Sequence, residues 1–280
     1  MMNRVWNKGI LIKIANWGFY SIMAVFGLGA LYIIGLITVF DTFHVPGHSM
    51  TPTIHPGEHG VINKLKLGGR LFDIYAAADG RSFNVRRFPG YGKLERNDII
   101  VFNGPFTESW DSIAMNMYTY YCKRAVAVAG DTIEIRDGHY RVKGFDKELG
   151  VSAEQDIVSN YFKDFQKTNN EEMPKWVKTL PFDDEIGWTI LEFGPMIIPK
   201  EGLEITLDYQ NTLLYRKYIA WETGYKVEWN GEMATIDGIP TQTYSFKENY
   251  CFSAGDHAIN SQDSRYWGLV PEKYIVGVIL

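Results

Sequence analysis

The sequence contains little cysteine: two residues in 280, Cys122 and Cys251. Two cysteines are too few for a disulfide scaffold, and this pair is too widely spaced for a zinc knuckle. One disulfide bond and two buried thiols both remain compatible with the sequence.

An excess of positive charge is also absent, because the chain has 28 basic and 33 acidic residues and a net charge of −5. That balance argues against nucleic acid as a partner, since a phosphate backbone requires a basic face.

Charge is missing altogether between Trp17 and Phe40. At about 1.5 Å per helical residue, this stretch is long enough to cross a hydrocarbon layer about 30 Å thick. A cleavable signal peptide has a shorter apolar stretch followed by a small-x-small site, and Thr38-Val39-Phe40-Asp41 offers no such site. The sequence therefore predicts an uncleaved transmembrane helix over 17–40, rather than a buried hairpin of core helices.

The residues at the start of the chain are basic. Arg4, Lys8 and Lys13 are present, and no acidic residue occurs before Asp41. Positive charge marks the cytoplasmic side of a membrane helix. We therefore expect residues 1–16 to lie in the cytoplasm and the residues after the helix to lie outside it.

After the helix the pattern is mostly strand-like, which predicts a mainly β fold. Two pairs of segments are separated by Asp137-Gly138 and by Asn230-Gly231, and these dipeptides favour the positive φ angles of tight hairpin turns. The predicted strands are 60–67, 98–102, 120–128, 132–136 with 139–143, and 225–229 with 232–236.

One helix interrupts the strands. Ser152 and Gln155 have the spacing of a capping box at its start. Its apolar face would consist of Ile157, Tyr161, Phe162 and Phe165. We expect a mixed α/β second domain at 145–245, inserted between two parts of an antiparallel catalytic core at 41–144 and 246–280.

Ser49 is a candidate nucleophile. It lies in Val45-Pro-Gly-His-Ser-Met-Thr-Pro-Thr-Ile54, between turn-forming residues a short distance after the helix. A serine in such a loop is by itself more often an ordinary polar residue. A nucleophilic serine also requires a base, and histidine and lysine are the candidates.

Lys123 is the candidate base, because it stands inside an apolar strand where burial of an ammonium group is costly. Burial lowers a lysine pKa, and a value of about 7–8 leaves enough neutral amine to accept a serine proton. The alternative is an edge-strand lysine with its amine in water.

A third stretch, Gly255 to Gly268, is dense in side chains that form local hydrogen bonds, which suits a supporting loop. Its Asp263 and Arg265 are interpreted as a structural ion pair.

In this order behind an N-terminal helix, these stretches resemble bacterial type I signal peptidases. The residues that carry the resemblance are Ser49 to Thr53, Asn97 to Phe102, Lys123-Arg124 with Gly130-Asp131, and Gly255-Asp256, Asn260-Ser261 and Asp263 to Gly268. The last of these matches is the most specific. The stretches 68–94 and 145–225 contain no motif of the family.

The resemblance implies a membrane-bound serine endopeptidase that removes signal peptides from exported preproteins after small-x-small motifs, on a signal-peptidase-like fold. Ser49 would attack the scissile carbonyl, and Lys123 would act as general base and then as general acid. Ser261 would hold the Lys123 amine, and the Ser49 backbone N–H would bind the oxyanion. Shallow pockets for small side chains would be lined by Val45, Pro46, Met50, Ile54, Tyr121 and Cys122.

The implied location is the plasma (inner) membrane, crossed once, with the catalytic domain outside the cytoplasm. Secreted preproteins would be the substrates, membrane lipid a second partner, and the export translocon a neighbour. Phe43 and Phe106 are candidates for contact with lipid. No nucleic acid, cofactor or metal is implied.

The sequence departs from the family pattern at three places. Gly47 stands where a hydroxyl residue often donates a second bond to the oxyanion, which leaves that bond to a backbone N–H or to water. Ala127 and Ala129 replace a glycine and a proline after Lys123, and residues 257–259 differ within the last motif.

Other functions compete with this interpretation. A hydrolase using Ser49, His257 and Asp256 is disfavoured, because adjacent residues on a strand point to opposite faces. A self-cleaving Ser-Lys regulator would carry a DNA-binding domain in place of the helix. An inactive membrane scaffold that binds export substrates is disfavoured by the presence of Ser49, Lys123 and Ser261.

Four histidines, His44, His48, His55 and His59, raise a metal site as an alternative. The proline and glycine residues around them indicate a loop, and no cysteine joins them. Ordinary loop histidines are therefore favoured over metal ligands.

Overall fold

A computed structural model describes residues 8–79, 81, 83–168 and 174–280. Its first element is α1, Lys8–Thr38, which begins well before the predicted residue 17 and includes Lys13. Arg4 and the rest of 1–7 lie outside the described residues. The span Gly9–Leu36 has a mean hydropathy of 2.0 and none of it is buried against the protein. By length and composition this helix suits a membrane crossing.

The remaining chain is mostly β-sheet, as predicted. Its strands are β1 Phe40–His44, β2 His59–Asn63, β3 Arg70–Leu71, β4 Arg86–Arg87, β5 Ile99–Gly104, β6 Asn116–Ala127, β7 Thr132–Arg136, β8 His139–Val142, β9 Phe193–Ile197, β10 Glu204–Thr206, β11 Val227–Trp229, β12 Ala234–Ile236, β13 Ile239–Pro240, β14 Thr243–Ser245, β15 Tyr250–Ala254, β16 Val270–Pro271 and β17 Ile275–Ile279. Its helices are α2 Ile74–Ala78, α3 Ser152–Thr168, α4 Tyr209–Thr223 and α5 Ser264–Trp267, with 3₁₀ turns at Lys175–Val177, Ala258–Asn260 and Glu272–Tyr274.

The largest sheet has the strand order β1-β2-β17-β5-β6-β15-β16, and its neighbours pair antiparallel. Strands from both ends of the chain alternate in this order, so residues near 50, 123 and 260 can meet. The central strands are apolar on both faces: Ile100, Val101 and Phe102 of β5 are fully buried. A strand covered on both faces has the continuous apolar sequence seen here.

The middle of the chain forms smaller sheets, β8-β7-β9, β10-β14 and β11-β12-β13. Because β9 pairs with β7, one sheet crosses the boundary expected at residue 144. Buried Phe102 and Phe252 belong to the same hydrophobic cluster as Ile135 and Tyr215. The middle segment and the flanking sheet therefore share one core.

Both predicted hairpins are present. In the first, Arg136 pairs with His139, and Asp137 and Gly138 have φ values of 50° and 81°. Positive φ at both positions is the geometry that a two-residue hairpin requires. In the second hairpin the paired strands, β11 and β12, are shorter than predicted and are joined by a longer loop, because Trp229 pairs with Ala234.

The predicted helix forms as α3, but two details were wrong. Gln155 does not complete a capping box, since its side chain accepts from the Tyr140 N–H at 2.9 Å and donates to the Leu149 carbonyl at 2.7 Å. Ile157 and Tyr161 are 49% and 46% exposed. Phe162 is buried as predicted, but the buried residues beside it are Gln155, Val158 and Ser159.

A second long helix, α4, was not predicted. Asp208 caps its start by accepting the Asn211 N–H at 2.7 Å, and Gly224 ends it with a φ of 77°. Its buried residues are Thr212, Leu214, Tyr215, Lys217, Tyr218 and Ile219. This set is polar as well as apolar and covers much of the helix circumference, so no single apolar stripe marked the helix.

Candidate active site

Ser49 lies in a turn that follows β1. The loop is fixed at its base, where the Val45 N–H donates to the Glu58 carbonyl at 3.0 Å and the Gly57 N–H to the Val45 carbonyl at 2.9 Å. Within the turn, the Thr51 N–H donates to the His48 carbonyl at 3.1 Å. Ser49 itself is half-buried. The turn thus presents one serine hydroxyl from a fixed backbone.

Lys123 lies within β6, opposite Ile100 of β5, and only 3% of it is exposed. Its Nζ atom and the Ser49 Oγ atom form a hydrogen bond. Burial lowers the pKa of the Lys123 amine, while the charge of Asp263 opposes that change. A buried amine in contact with a serine hydroxyl is the arrangement that activates a serine nucleophile.

The backbone of Ser49 is held by the loop after β15. The His257 N–H donates to the Ser49 carbonyl at 3.1 Å. A Cβ atom on Gly255 would stand 2.4 Å from that carbonyl oxygen and 2.2 Å from the Ser261 Oγ atom. Glycine at 255 is therefore required for the two loops to approach this closely.

Asp263 and Arg265 form the predicted structural ion pair. The Arg265 Nε and Nη2 atoms each donate to one carboxylate oxygen at 2.8 Å, and the two residues are 0% and 2% exposed. Burial would raise the pKa of Asp263, but Arg265 outweighs this effect and the pKa is lowered. The carboxylate also accepts the Gly255 N–H at 3.0 Å, so the pair supports the loop that holds Ser49.

A second ion pair joins Arg124 and Asp256, with nitrogen–oxygen distances of 2.7 and 2.6 Å. Because the Asp256 carboxylate is engaged there, it is not available to orient His257. The His257 ring lies 4.0 Å from Glu154, and it is the backbone of His257 that bonds to Ser49. This geometry speaks against the Ser49-His257-Asp256 alternative.

Ser261 lies beside the nucleophile, but its hydroxyl makes a different bond from the one predicted. It donates to the Gln262 carbonyl at 3.5 Å rather than bonding to the Lys123 amine. The residue is 7% exposed and sits against Gly255. Its predicted role in holding Lys123 remains a prediction.

Gly47 is exposed, and a Cβ atom added there would meet nothing within 4 Å. The loop therefore has room for a hydroxyl-bearing side chain that this sequence does not supply. A second oxyanion donor still has to come from a backbone N–H or from water.

The residues expected to line shallow pockets fall into two groups. Val45, Met50, Ile54 and Cys122 are buried together in one hydrophobic cluster next to Ser49 and Lys123. Pro46 is exposed and Tyr121 is half-buried, with its ring 4.8 Å from the Trp267 ring. The contact of all six residues with substrate remains a prediction.

Cys122 and Cys251 are buried free thiols. His44 and His59 face each other across β1 and β2 with ring centroids 4.9 Å apart. Within the described part of the chain, no group of three or more His, Cys, Asp or Glu side chains is placed to hold a metal ion.

Sequence reasoning missed Lys217 of α4, a buried lysine whose amine donates to the backbone carbonyls of Trp110 and Trp267. Its only signal was a lysine within Leu214-Tyr-Arg-Lys-Tyr-Ile219, and an unrecognised helix hid its direction. Phe106 is partly buried, with its ring centroid 5.5 Å from that of Trp267, and its contact with lipid remains a prediction.

Comparison with known proteins matches these features to one family. The model of the signal peptidase family, peptidase S26, matches residues 18–280. The chain therefore belongs to the signal peptidase family, a family of serine proteases. An N-terminal apolar helix is consistent with a membrane-anchored member of it.

Curated relatives carry the same family name. The chain is 25% identical over 252 residues to signal peptidase I of Buchnera aphidicola from Acyrthosiphon pisum, covering 85% of this chain and 66% of the relative. It is 27% identical over 260 residues to signal peptidase I of Haemophilus influenzae, covering 85% and 62%. Against signal peptidase I of Pseudomonas aeruginosa it is 23% identical over 259 residues, covering 88% and 66%. The chain spans just under two thirds of the length of these relatives.

Proposed function

We propose that this protein is a membrane-bound serine endopeptidase that removes N-terminal signal peptides from exported preproteins, cutting after small-x-small motifs with a Ser49/Lys123 dyad. The observation that carries the proposal is the bond between the Ser49 hydroxyl and the amine of a lysine that is only 3% exposed to solvent. Family membership supports the same activity.

In the first step the neutral Lys123 amine accepts the Ser49 Oγ proton as Oγ bonds to the carbonyl carbon of the scissile peptide. The carbonyl electron pair moves to oxygen and forms the tetrahedral oxyanion. When the carbon–nitrogen bond breaks, the Lys123 ammonium gives its proton to the leaving amine. An acyl-enzyme on Ser49 remains, and water repeats the sequence with Lys123 again as base.

This mechanism requires Lys123 to be unprotonated, and burial favours this neutral form. Removing the ammonium from water costs free energy that the neutral amine does not incur, so the pKa falls. The nearby Asp263 carboxylate acts in the other direction, but its charge is largely committed to Arg265. Desolvation therefore dominates at Lys123.

The oxyanion needs hydrogen-bond donors. We assign one to the Ser49 backbone N–H, a class of contact worth about 3–4 kcal/mol in hydrolases. Gly47 offers no side-chain donor, so the second bond would come from a backbone N–H or water. The backbone of Ser49 is well suited to this task because its carbonyl is fixed by His257.

An extended substrate has an open strand edge beside the dyad. The pairing of β15 with β6 ends at Arg124, one residue after Lys123, where Ala254 is its partner. We propose that the substrate adds to β6 there, as in β-augmentation, with backbone bonds giving affinity. Pro46, Tyr121 and the cluster of Val45, Met50, Ile54 and Cys122 would then restrict the flanking side chains to small ones.

The apolar helix α1 would hold this chemistry at a membrane surface. The Lys64 N–H donates to the Val39 carbonyl at 2.9 Å and the Lys64 amine to the Leu36 carbonyl at 2.7 Å, so the end of α1 is tied to the folded domain. We propose that the chain crosses the plasma (inner) membrane once with residues 1–16 in the cytoplasm. Preproteins would reach it as they leave the export translocon, and lipid would be its other partner.

The test uses the full-length chain in detergent micelles and a labelled preprotein with an Ala-x-Ala site. Cleavage after the second alanine is expected for the wild type, and Ser49→Ala and Lys123→Ala should each abolish it. Lys163→Ala, which removes an exposed lysine on α3, is the matched control and should retain activity. Absence of cleavage by the wild type under these conditions would favour the scaffold alternative.

A further inference from the structure

Lys217 of α4 is a buried lysine that the proposed mechanism does not use. It is 6% exposed, and its Nζ atom donates to the Trp110 carbonyl at 2.8 Å and to the Trp267 carbonyl at 2.6 Å. These carbonyls belong to segments far apart in the sequence, the loop after β5 and the last residue of α5. One amine thus ties three parts of the chain together.

The contacts around Lys217 leave little freedom. The neighbouring Tyr218 hydroxyl accepts the Leu269 N–H at 2.7 Å. A Cβ atom on Gly268 would stand 2.1 Å from the Tyr218 hydroxyl and 2.8 Å from the Lys217 Nζ atom, and the φ of Gly268 is 87°. The end of α5 therefore lies directly on α4, and its terminal carbonyl, which has no partner within the helix, receives an N–H donor from the Lys217 amine.

Both residues whose carbonyls Lys217 binds contribute rings to one aromatic cluster. Between ring centroids, Phe106 lies 6.2 Å from Trp110 and 5.5 Å from Trp267. The Tyr121 ring centroid lies 6.2 Å from that of Phe106 and 4.8 Å from that of Trp267. Tyr121 is two residues before Lys123 on β6, so the two side chains lie on the same face of the sheet. Through Tyr121 this cluster, called the aromatic wall below, lies on the face of β6 that also bears the Lys123 side chain.

We propose that Lys217 is a positioning residue for the active site: by clamping the Trp110 and Trp267 carbonyls, it holds the aromatic wall against Lys123 and keeps water from the amine. The inserted helix α4 would thereby complete a site whose reacting groups all lie outside it. This inference rests on the proposed function, because Lys123 must act as the base for the wall to matter to catalysis.

The electrostatic setting agrees with a structural amine at Lys217. Burial lowers its pKa to about 7, while Asp111 opposes that change and Arg216 adds to it. Charged or neutral, the amine keeps at least two N–H donors for its two carbonyls. Burial is the main cause of the lowered Lys123 pKa, and Asp263, Cys122, Arg265 and Asp256 add smaller electrostatic effects, so Lys217 would act on this amine through the packing that excludes water.

The experiment compares Lys217→Met with Arg216→Met, which removes an exposed cation from the neighbouring position of the same helix. Acylation of Ser49 by a serine-directed probe is followed by intact mass in the full-length protein as a function of pH. In Lys217→Met a loosened wall admits water, the ammonium form of Lys123 is better solvated, and the midpoint of the acid limb should rise by about one pH unit. At pH values below the midpoint, acylation of Lys217→Met should be about tenfold slower than that of the wild type. The Arg216→Met variant should match the wild type.

Thermal unfolding of each variant is measured in parallel. A lower melting temperature with an unmoved acid limb would mean that Lys217 only stabilises the fold, and would overturn the proposal. If Lys217→Met does not fold, Lys217→Gln, whose shorter side chain keeps an amide with two N–H donors, should move the limb in the same direction by a smaller amount, and an unmoved limb there has the same meaning. Preprotein cleavage is scored separately. Normal acylation without cleavage defeats the proposed function alone, whereas absence of Ser49 acylation in the wild type defeats both.

Discussion

Asp263 and Arg265 form a bidentate ion pair that is closed off from solvent, although only one residue separates them in the sequence. The pair reaches the active site through the Asp263 carboxylate, which binds the Gly255 N–H, and through Arg265, whose Nη2 atom donates to the Ser261 carbonyl at 3.3 Å. Both ends of the loop that contacts Ser49 are therefore fixed to one buried charge pair.

Replacing Arg265 by Met should destabilise the protein strongly. The Asp263 carboxylate would remain buried without its partner, and loss of one member of a buried pair costs about 3–5 kcal/mol. Arg136→Met, which removes an arginine from an exposed pair, should change the stability little. Urea unfolding of the detergent-solubilised chains measures the difference, and equal stabilities for the two variants would contradict the prediction.

The rate of cleavage should depend on pH through Lys123. The pKa of this amine is lowered by burial, and only the neutral form accepts the Ser49 proton. Activity should therefore be high above the lowered pKa and fall as the pH decreases through it, at a pH below that of an ordinary lysine. The pH dependence of kcat measures the pH at which activity is lost. If activity were lost at the pKa of a solvated lysine, a buried lysine could not be the base.

Lys123→Met should abolish activity and yet stabilise the fold. Because the pKa of Lys123 is lower in the folded than in the unfolded chain, the unfolded chain binds the extra proton between the two values. Wild-type stability therefore decreases as the pH falls from the unfolded pKa to the folded one, by about 1.4 kcal/mol for each pH unit that separates them. Methionine removes this dependence.

Melting temperatures of the wild type and Lys123→Met across that range provide the measurement. The variant should be the more stable protein at neutral pH, and the gap should narrow as the pH rises towards the unfolded pKa. A variant less stable than the wild type at neutral pH would show that the amine is not strained by burial.

Gly47→Ser should increase the turnover. The position is open, so a serine side chain fits without displacing its neighbours, and its hydroxyl would supply the oxyanion donor that this loop lacks. A gain in kcat of about fivefold to tenfold is expected, less than a preorganised donor contributes. Gly47→Ala, which adds the Cβ atom without a donor, is the control, and equal rates for the two variants would refute a second-donor role.

Gly255→Ala should inactivate the enzyme by a steric effect. The new methyl group would stand 2.4 Å from the Ser49 carbonyl oxygen and 2.2 Å from the Ser261 Oγ atom, so the two loops must separate. A displacement of about 1 Å at a catalytic group lowers the rate about 100-fold. Steady-state kinetics of Gly255→Ala beside Gly47→Ala isolates this effect, since the latter meets no neighbour.

Several features could be predicted because they are encoded within a few consecutive residues. The hairpin at Asp137-Gly138 requires only its own positive φ angles, and the uncharged run before Phe40 requires only its length. The helix α4 could not be predicted in this way. Its buried face includes Lys217, Thr212 and tyrosines, which become compatible with burial only through partners elsewhere in the fold.

The sequence by itself determined an N-terminal apolar helix long enough to cross a membrane, the mainly β character, and the pairing of a serine in a turn with a lysine in an apolar strand as candidate chemistry. Tertiary structure decided that the lysine is shielded, that its amine meets Ser49, that Ser261 bonds to Gln262, and that Lys217 of α4 binds the Trp110 and Trp267 carbonyls. The reason is physical: local conformation depends on neighbouring residues, whereas burial and pKa depend on which distant surfaces pack together. Lys123 is 74 residues from Ser49 in the chain, and only the assembled sheet brings them into contact.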